Sequence, residues 1–100
     1  MIAVAALLLS TAAVAAAVHR VIQQGRAFSV PEITIARGDR VEFSNEDEFI
    51  HQIYVDSTQM TFDSAEQPPG QIVGITFSNG GTFPVRCHIH PKMQLIVHVQ

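Results

Sequence analysis

One hundred residues suffice for a single domain, and six Lys and Arg against nine Asp and Glu leave a formal net charge of −3. No basic stripe runs along the chain, which argues against nucleic acid as a partner. The single cysteine excludes an internal disulfide, so a small domain here must find stability elsewhere, and a metal held only by the folded state is one source.

The 47% apolar content is inflated by Met1–Val18, which carries no charge and is dominated by Ala, Leu and Val. Ala15-Ala16-Ala17 fits a small-residue cleavage site, so residues 1–17 read as a signal peptide and residues 18–100 as the mature domain. Met1-Ile2-Ala3 lacks the positive start of such a leader, which leaves an uncleaved anchor as the alternative. Either way the domain is expected outside the cytoplasm, in the periplasm or otherwise exported.

From Val18 onward the chain reads as short strands. Val18–Gln23 is the first, with Gly25 as punctuation, and apolar and polar residues alternate over Glu32–Ala36. Arg37-Gly38-Asp39 is a turn signal, and Arg40–Ser44 alternates again with Val41 and Phe43 inward. Asn45–Glu48 is a polar turn, Phe49–Val55 another β-rich run, and Ser57–Gly70 a long loop with room for a short strand around Met60–Asp63. Gln71–Phe77 places Val73, Ile75 and Phe77 on one face. Asn79-Gly80-Gly81 has the composition of a hairpin turn, Thr82–Arg86 leads Phe83, Val85 and Cys87 along a single face, and Leu95–Val99 closes the chain. Strands at this spacing, with no helical pattern after the leader, predict an all-β sandwich or barrel.

Chemistry concentrates in Cys87-His88-Ile89-His90-Pro91-Lys92-Met93. Singly, these residues have ordinary roles: a lone Cys is usually a small buried apolar group, a Met core filler, a His a surface residue. Together a thiolate, an imidazole and a thioether make a soft donor set that suits copper better than magnesium or calcium. A blue copper site takes one Cys, two His and a weak axial Met. The spacing Cys-x2-His-x2-Met supplies three of these, so a second His must come from elsewhere. Cys87 continues the inward face, and His88, adjacent to it on a strand, should point to the opposite side, which favours His90 as the loop's imidazole. Pro91 stiffens the loop between the donors.

The ligand loop with Pro91 after the histidine, the upstream His51 and the strand pattern together resemble the cupredoxins, the blue copper family that includes plastocyanin, pseudoazurin and amicyanin. The resemblance runs from about Arg20 to Gln100, and the short loop is most similar to that of amicyanin. It implies a Greek-key β-sandwich of about eight strands and one type 1 copper held by His51, Cys87, His90 and Met93. It also implies a one-electron carrier, likewise monomeric and non-enzymatic. The outer edge of His90 would face a small apolar patch where redox donor and acceptor proteins dock transiently. Cupredoxins usually carry Asn after the first histidine; Gln52 stands there, which puts the familiar tether between the ligand loops in doubt. Glu46-Asp47-Glu48, with Asp56, Asp63 and Glu66, would steer a basic partner.

Three other functions would draw on parts of the same pattern. A copper carrier or buffer would use the same ligands, with His88 and Met60 in reserve. Multicopper oxidases and nitrite reductases share Cys-His-Ile in their copper loop, but Arg86 precedes the cysteine here, no His-x-His stands upstream, and one domain is too few. Zinc would also accept Cys87, His51 and His90, yet the axial Met spacing points to copper. No small-molecule substrate is expected, and no membrane contact beyond the N-terminal segment.

Overall fold

Alternation of apolar and polar residues decides where each strand lies. In the computed structural model, which describes residues 3–6 and 15–100, eight strands form and no helix occurs among the described residues. They are β1 Val18–Gln23, β2 Glu32–Ile35, β3 Arg40–Asn45, β4 Ile53–Asp56, β5 Thr61–Asp63, β6 Ile72–Thr76, β7 Gly81–Cys87 and β8 Gln94–Val99. The leader expectation for residues 1–17 falls for the most part outside the described residues. Among those described, no helix is long and apolar enough to cross a membrane.

The strands make two sheets, one of three in the order β1-β3-β6 and one of five in the order β2-β8-β7-β4-β5. β1 runs parallel to β3 and β2 parallel to β8, while the other pairs are antiparallel. The chain changes sheet at every connection except β4–β5 and β7–β8, so successive inward faces meet across the sandwich. Val41 and Phe43 of β3, Ile53 and Val55 of β4, Phe83 and Val85 of β7, and Leu95 and Val97 of β8 fill one buried apolar core. Each such side chain contributes about 1.5–3 kcal/mol by leaving water.

Asn79-Gly80-Gly81 does not make the expected hairpin. β6 pairs with β3 and β7 pairs with β4 and β8, so this turn carries the chain from one sheet to the other. The reason lies in the inward faces it joins. Phe77 and Phe83 are both fully buried, and their rings meet at 5.9 Å across the sandwich rather than side by side in one sheet.

Asp39, in the turn before β3, ties the start of β1 to that turn. Its carboxylate accepts hydrogen bonds from Ala17 N (3.0 Å) and Ala36 N (3.0 Å) and lies 2.9 Å from His19 Nε2. The His19 contact, then the two backbone donors, lower its pKa from 3.8 to about 2. A carboxylate depressed on folding stabilises the fold above its unfolded pKa, and that contribution is lost as pH falls through the folded value. Asp39→Asn is therefore expected to unfold more easily at neutral pH, and to show a shallower loss of stability between about pH 4 and pH 2 than the wild type. Thermal melts across that window check both.

Candidate metal centre

Three segments converge at one end of the sandwich. Cys87 is the last residue of β7, opposite Ile53 in the ladder, and its sulfur follows Phe83 and Val85 into the interior. His90 lies in the loop joining β7 to β8, where Met93 N donates to His90 O (2.9 Å) and closes the turn. His51 precedes β4 and is not part of it. The expected run over Phe49–Val55 is strand only from Ile53, and His51 instead forms an isolated bridge with Gln67. His51 N donates to Gln67 O (3.1 Å) and Gln67 N to His51 O (2.7 Å).

The result is a tight group of donors. Cys87 Sγ lies 3.6 Å from His51 Nδ1 and 3.9 Å from His90 Nδ1, and the two Nδ1 atoms are 3.2 Å apart. His51 and Cys87 are buried and His90 is half-buried. Among the described residues this is a His/Cys group able to hold a metal ion.

Asp47 orients the group from behind. Its Oδ2 lies 2.7 Å from His51 Nε2, so the ionised carboxylate holds the N–H on Nε2 and leaves the Nδ1 lone pair facing Cys87 and His90. Burial by itself would raise the Asp47 pKa, but the His51 contact and hydrogen bonds from Arg26 N and Gly25 N outweigh it, and the net shift is downward. His90 is pushed below its ordinary 6.5, first by burial and then by His51 and Arg26, which favours the neutral, ligating imidazole. Two imidazole nitrogens and a sulfur thus converge as lone-pair donors, and only a proton or a metal cation between them relieves their mutual repulsion. This donor set fits a single type 1 copper.

Met93 is 2% exposed yet stands outside the contiguous apolar core, unlike neighbouring Leu95. Gln52 tethers the cysteine loop through its backbone: its N–H points at Cys87 Sγ (3.4 Å) and its carbonyl accepts His88 N (2.9 Å). Its side chain turns away to Asp63 Oδ1 (2.9 Å), so it does not take the part of the usual Asn. His88, the first residue after β7, faces away from the group, stacked on Tyr54 (3.7 Å between centroids) with Nε2 3.3 Å from Asp63 Oδ2. His88→Ala is expected to leave the spectrum and stoichiometry of bound copper unchanged, as a titration with Cu(II) would show. His19 and His98 are engaged elsewhere, with Asp39 and Glu32.

Sequence reasoning missed the buried amides behind His51. Gln67 Nε2 donates to Phe43 O (3.0 Å) and Gln71 O (2.8 Å), and its Oε1 accepts from Gln23 Nε2 (2.9 Å). Asn45 Nδ2 donates to Phe49 O (2.8 Å) and Gln67 O (2.9 Å). It also misplaced Asp47, which is buried under His51 rather than offered to a partner.

Neither a family model nor a curated protein matches the chain. Solved structures do. Amicyanin from Paracoccus versutus is similar at 25% identity and TM-score 0.75, with 82% of this chain and 80% of that chain covered. A purple cupredoxin from Nitrosopumilus maritimus is similar at 20% identity and TM-score 0.73, covering 82% and 99%. A copper-containing nitrite reductase from Thermus scotoductus SA-01 is similar at 28% identity and TM-score 0.73, with 97% of this chain on 25% of that chain. The chain has the cupredoxin fold, and its His51, Cys87 and His90 fit one type 1 copper.

Proposed function

We propose that this chain is an exported one-electron carrier whose copper is held by His51, Cys87, His90 and Met93. The observation that carries this is the convergence of three lone-pair donors in a buried, pre-oriented group with one imidazole reaching the surface. Bound there, copper supplies a single electron gained or lost at a time. The chain's own residues keep the site from rearranging. Asp47 and the Gln67 bridge fix His51, the Gln52 backbone fixes Cys87, and the Met93–His90 turn and Pro91 fix the loop. A site held this way changes little between oxidation states, which suits exchange with transient redox donors and acceptors. His90, alone of the three half-buried, provides the shortest route outward.

The same ligands would serve a copper carrier or buffer, and retention of the metal separates the two. Copper-loaded protein cycled between ascorbate and ferricyanide beside a Cu(I) chelator is expected to keep its copper through repeated cycles. Transfer of the metal to the chelator on first reduction would contradict electron carriage and favour delivery of copper.

A further inference from the structure

The rim of His90 is cationic, and one of its cations sits on a backbone conformation that its own side chain disfavours. Gly25 and Arg26 are successive left-handed residues, at φ 64° and 55°, in the turn between Gln23 and Phe28. Glycine takes that conformation freely, but a residue with a Cβ persists there only when its surroundings hold it. Asp47 does so: Oδ1 accepts Gly25 N at 2.6 Å and Oδ2 accepts Arg26 N at 3.0 Å. The carboxylate that orients His51 therefore also fixes this turn.

The turn presents the Arg26 guanidinium over the Phe49 ring, 4.3 Å from its centroid, and Phe49 in turn meets the His90 ring edge-on at 6.2 Å. Arg26, Ile89, His90, Pro91 and Lys92 line one hollow, with two cations and no carboxylate. The ion pairs among the described residues all involve histidines, so the Arg26 guanidinium has no carboxylate partner of its own. The acids expected to steer a partner are placed differently. Asp47 is buried, while Asp56 and Asp63 line a separate hollow with Tyr54 and His88; Glu46 and Glu48, in the turn before Phe49, and Glu66, beside Gln67, are exposed but line neither hollow. Phe49 and Ile89, 42% and 45% exposed, supply the apolar contact beside the cations.

We propose that Arg26, held in its left-handed turn by Asp47 and assisted by Lys92, selects a redox protein whose docking rim carries carboxylates at the exposed edge of His90. This rests on the electron-carrier assignment and reverses the sign of partner expected from the acidic run. A guanidinium held over the Phe49 ring is pre-oriented for a bidentate carboxylate, so less side-chain freedom remains to be lost on docking.

The test oxidises the Cu(I)-loaded full chain to the Cu(II) form by one-electron transfer to ferricyanide, an anion, and to tris(phenanthroline)cobalt(III), a cation, with each variant's reduction potential measured alongside to correct for driving force. At an ionic strength of about 10 mM, Arg26→Glu is expected to slow ferricyanide about tenfold and to leave the cobalt complex unchanged or faster. The difference should largely close near 1 M salt, where the Debye length falls to about 3 Å. Poly-L-glutamate should slow ferricyanide with the wild type and not with Arg26→Glu. Arg26→Gly, which removes charge and strain together, should melt at or above the wild-type temperature while losing the same anion preference. A wild type that exchanges electrons with neither reagent overturns the electron-carrier assignment and this one with it. A wild type that reacts with both, at ferricyanide rates that Arg26→Glu leaves within twofold, overturns the role of Arg26 alone. So does an Arg26→Gly variant that melts lower and keeps the wild-type rates.

Discussion

Asp47→Ala is expected to destabilise the metal-free protein by about 4 kcal/mol and to weaken copper binding roughly 10–100-fold. The carboxylate serves three N–H donors: Gly25 N at 2.6 Å, Arg26 N at 3.0 Å and His51 Nε2 at 2.7 Å. Hydrogen bonds to a charged acceptor contribute about 1.5–3 kcal/mol each, and the three are not additive, because the turn relaxes once one is lost. His51 is fully buried, so its N–H loses its acceptor with no water at hand. Without Asp47 nothing keeps the proton on Nε2, and Nδ1 is no longer reserved for the metal. Asp47→Asn should fall between the two, since one amide oxygen remains and an NH2 now faces a donor. The pH dependence has a definite sign. The Asp47 carboxylate is depressed on folding, so its contribution is present above the ordinary 3.8 and is lost as pH falls below it. Urea unfolding of the metal-free variants and competition with a chelator for copper measure the two effects. An Asp47→Ala midpoint equal to the wild type's would contradict this account of the site.

Gln67→Ala is expected to cost about 3 kcal/mol, although Gln67 is not a ligand. Its side chain has no exposure and makes three bonds, to Phe43 O, Gln71 O and Gln23 Nε2. The two acceptor carbonyls on Nε2 decide which way the amide points and so require Gln23 to present its NH2 to Oε1. Truncation leaves that NH2 and both carbonyls short of a partner and opens a cavity beside the His51–Gln67 bridge. Unfolding of the variant measures the cost, and faster exchange of the His51 amide would show that the bridge has loosened. Stability and exchange both at wild-type levels would mean that the bridge holds His51 without the side chain.

The strands were legible because one face of each is apolar at every second residue. Val41 and Phe43, Phe83 and Val85, and Leu95, Val97 and Val99 all point inward as their alternation requires. Cys87, in step with Phe83 and Val85, and His88, out of step, followed from the same parity. The hairpin assigned to Asn79-Gly80-Gly81 failed because turn composition specifies a reversal of direction and not which strands then pair. That choice was made by Phe77 and Phe83 meeting across the core. His51 was legible only by resemblance, since two hydrogen bonds to Gln67, sixteen positions on, place it. Asp47 looked like part of a solvated acidic turn. Its role depends on the distant Gly25 turn folding back onto it, and no local spacing encodes that contact. Gln23 continues the inward face of Val21, and Asn45 that of Val41 and Phe43, so parity points both inward although their amides read as strand ends, whereas Gln67 sits in a loop among polar neighbours with no pattern that marks it as buried.

Binding of copper by Cys87 with two histidines as a type 1 centre is read out in the visible spectrum during a Cu(II) titration, with Cys87→Ser alongside. An intense thiolate-to-copper band that saturates at one Cu(II) per chain, and disappears in Cys87→Ser while the protein stays folded, is the predicted result. A pale spectrum with copper still bound, alike in wild type and Cys87→Ser, would mean that the thiolate does not coordinate and would contradict it.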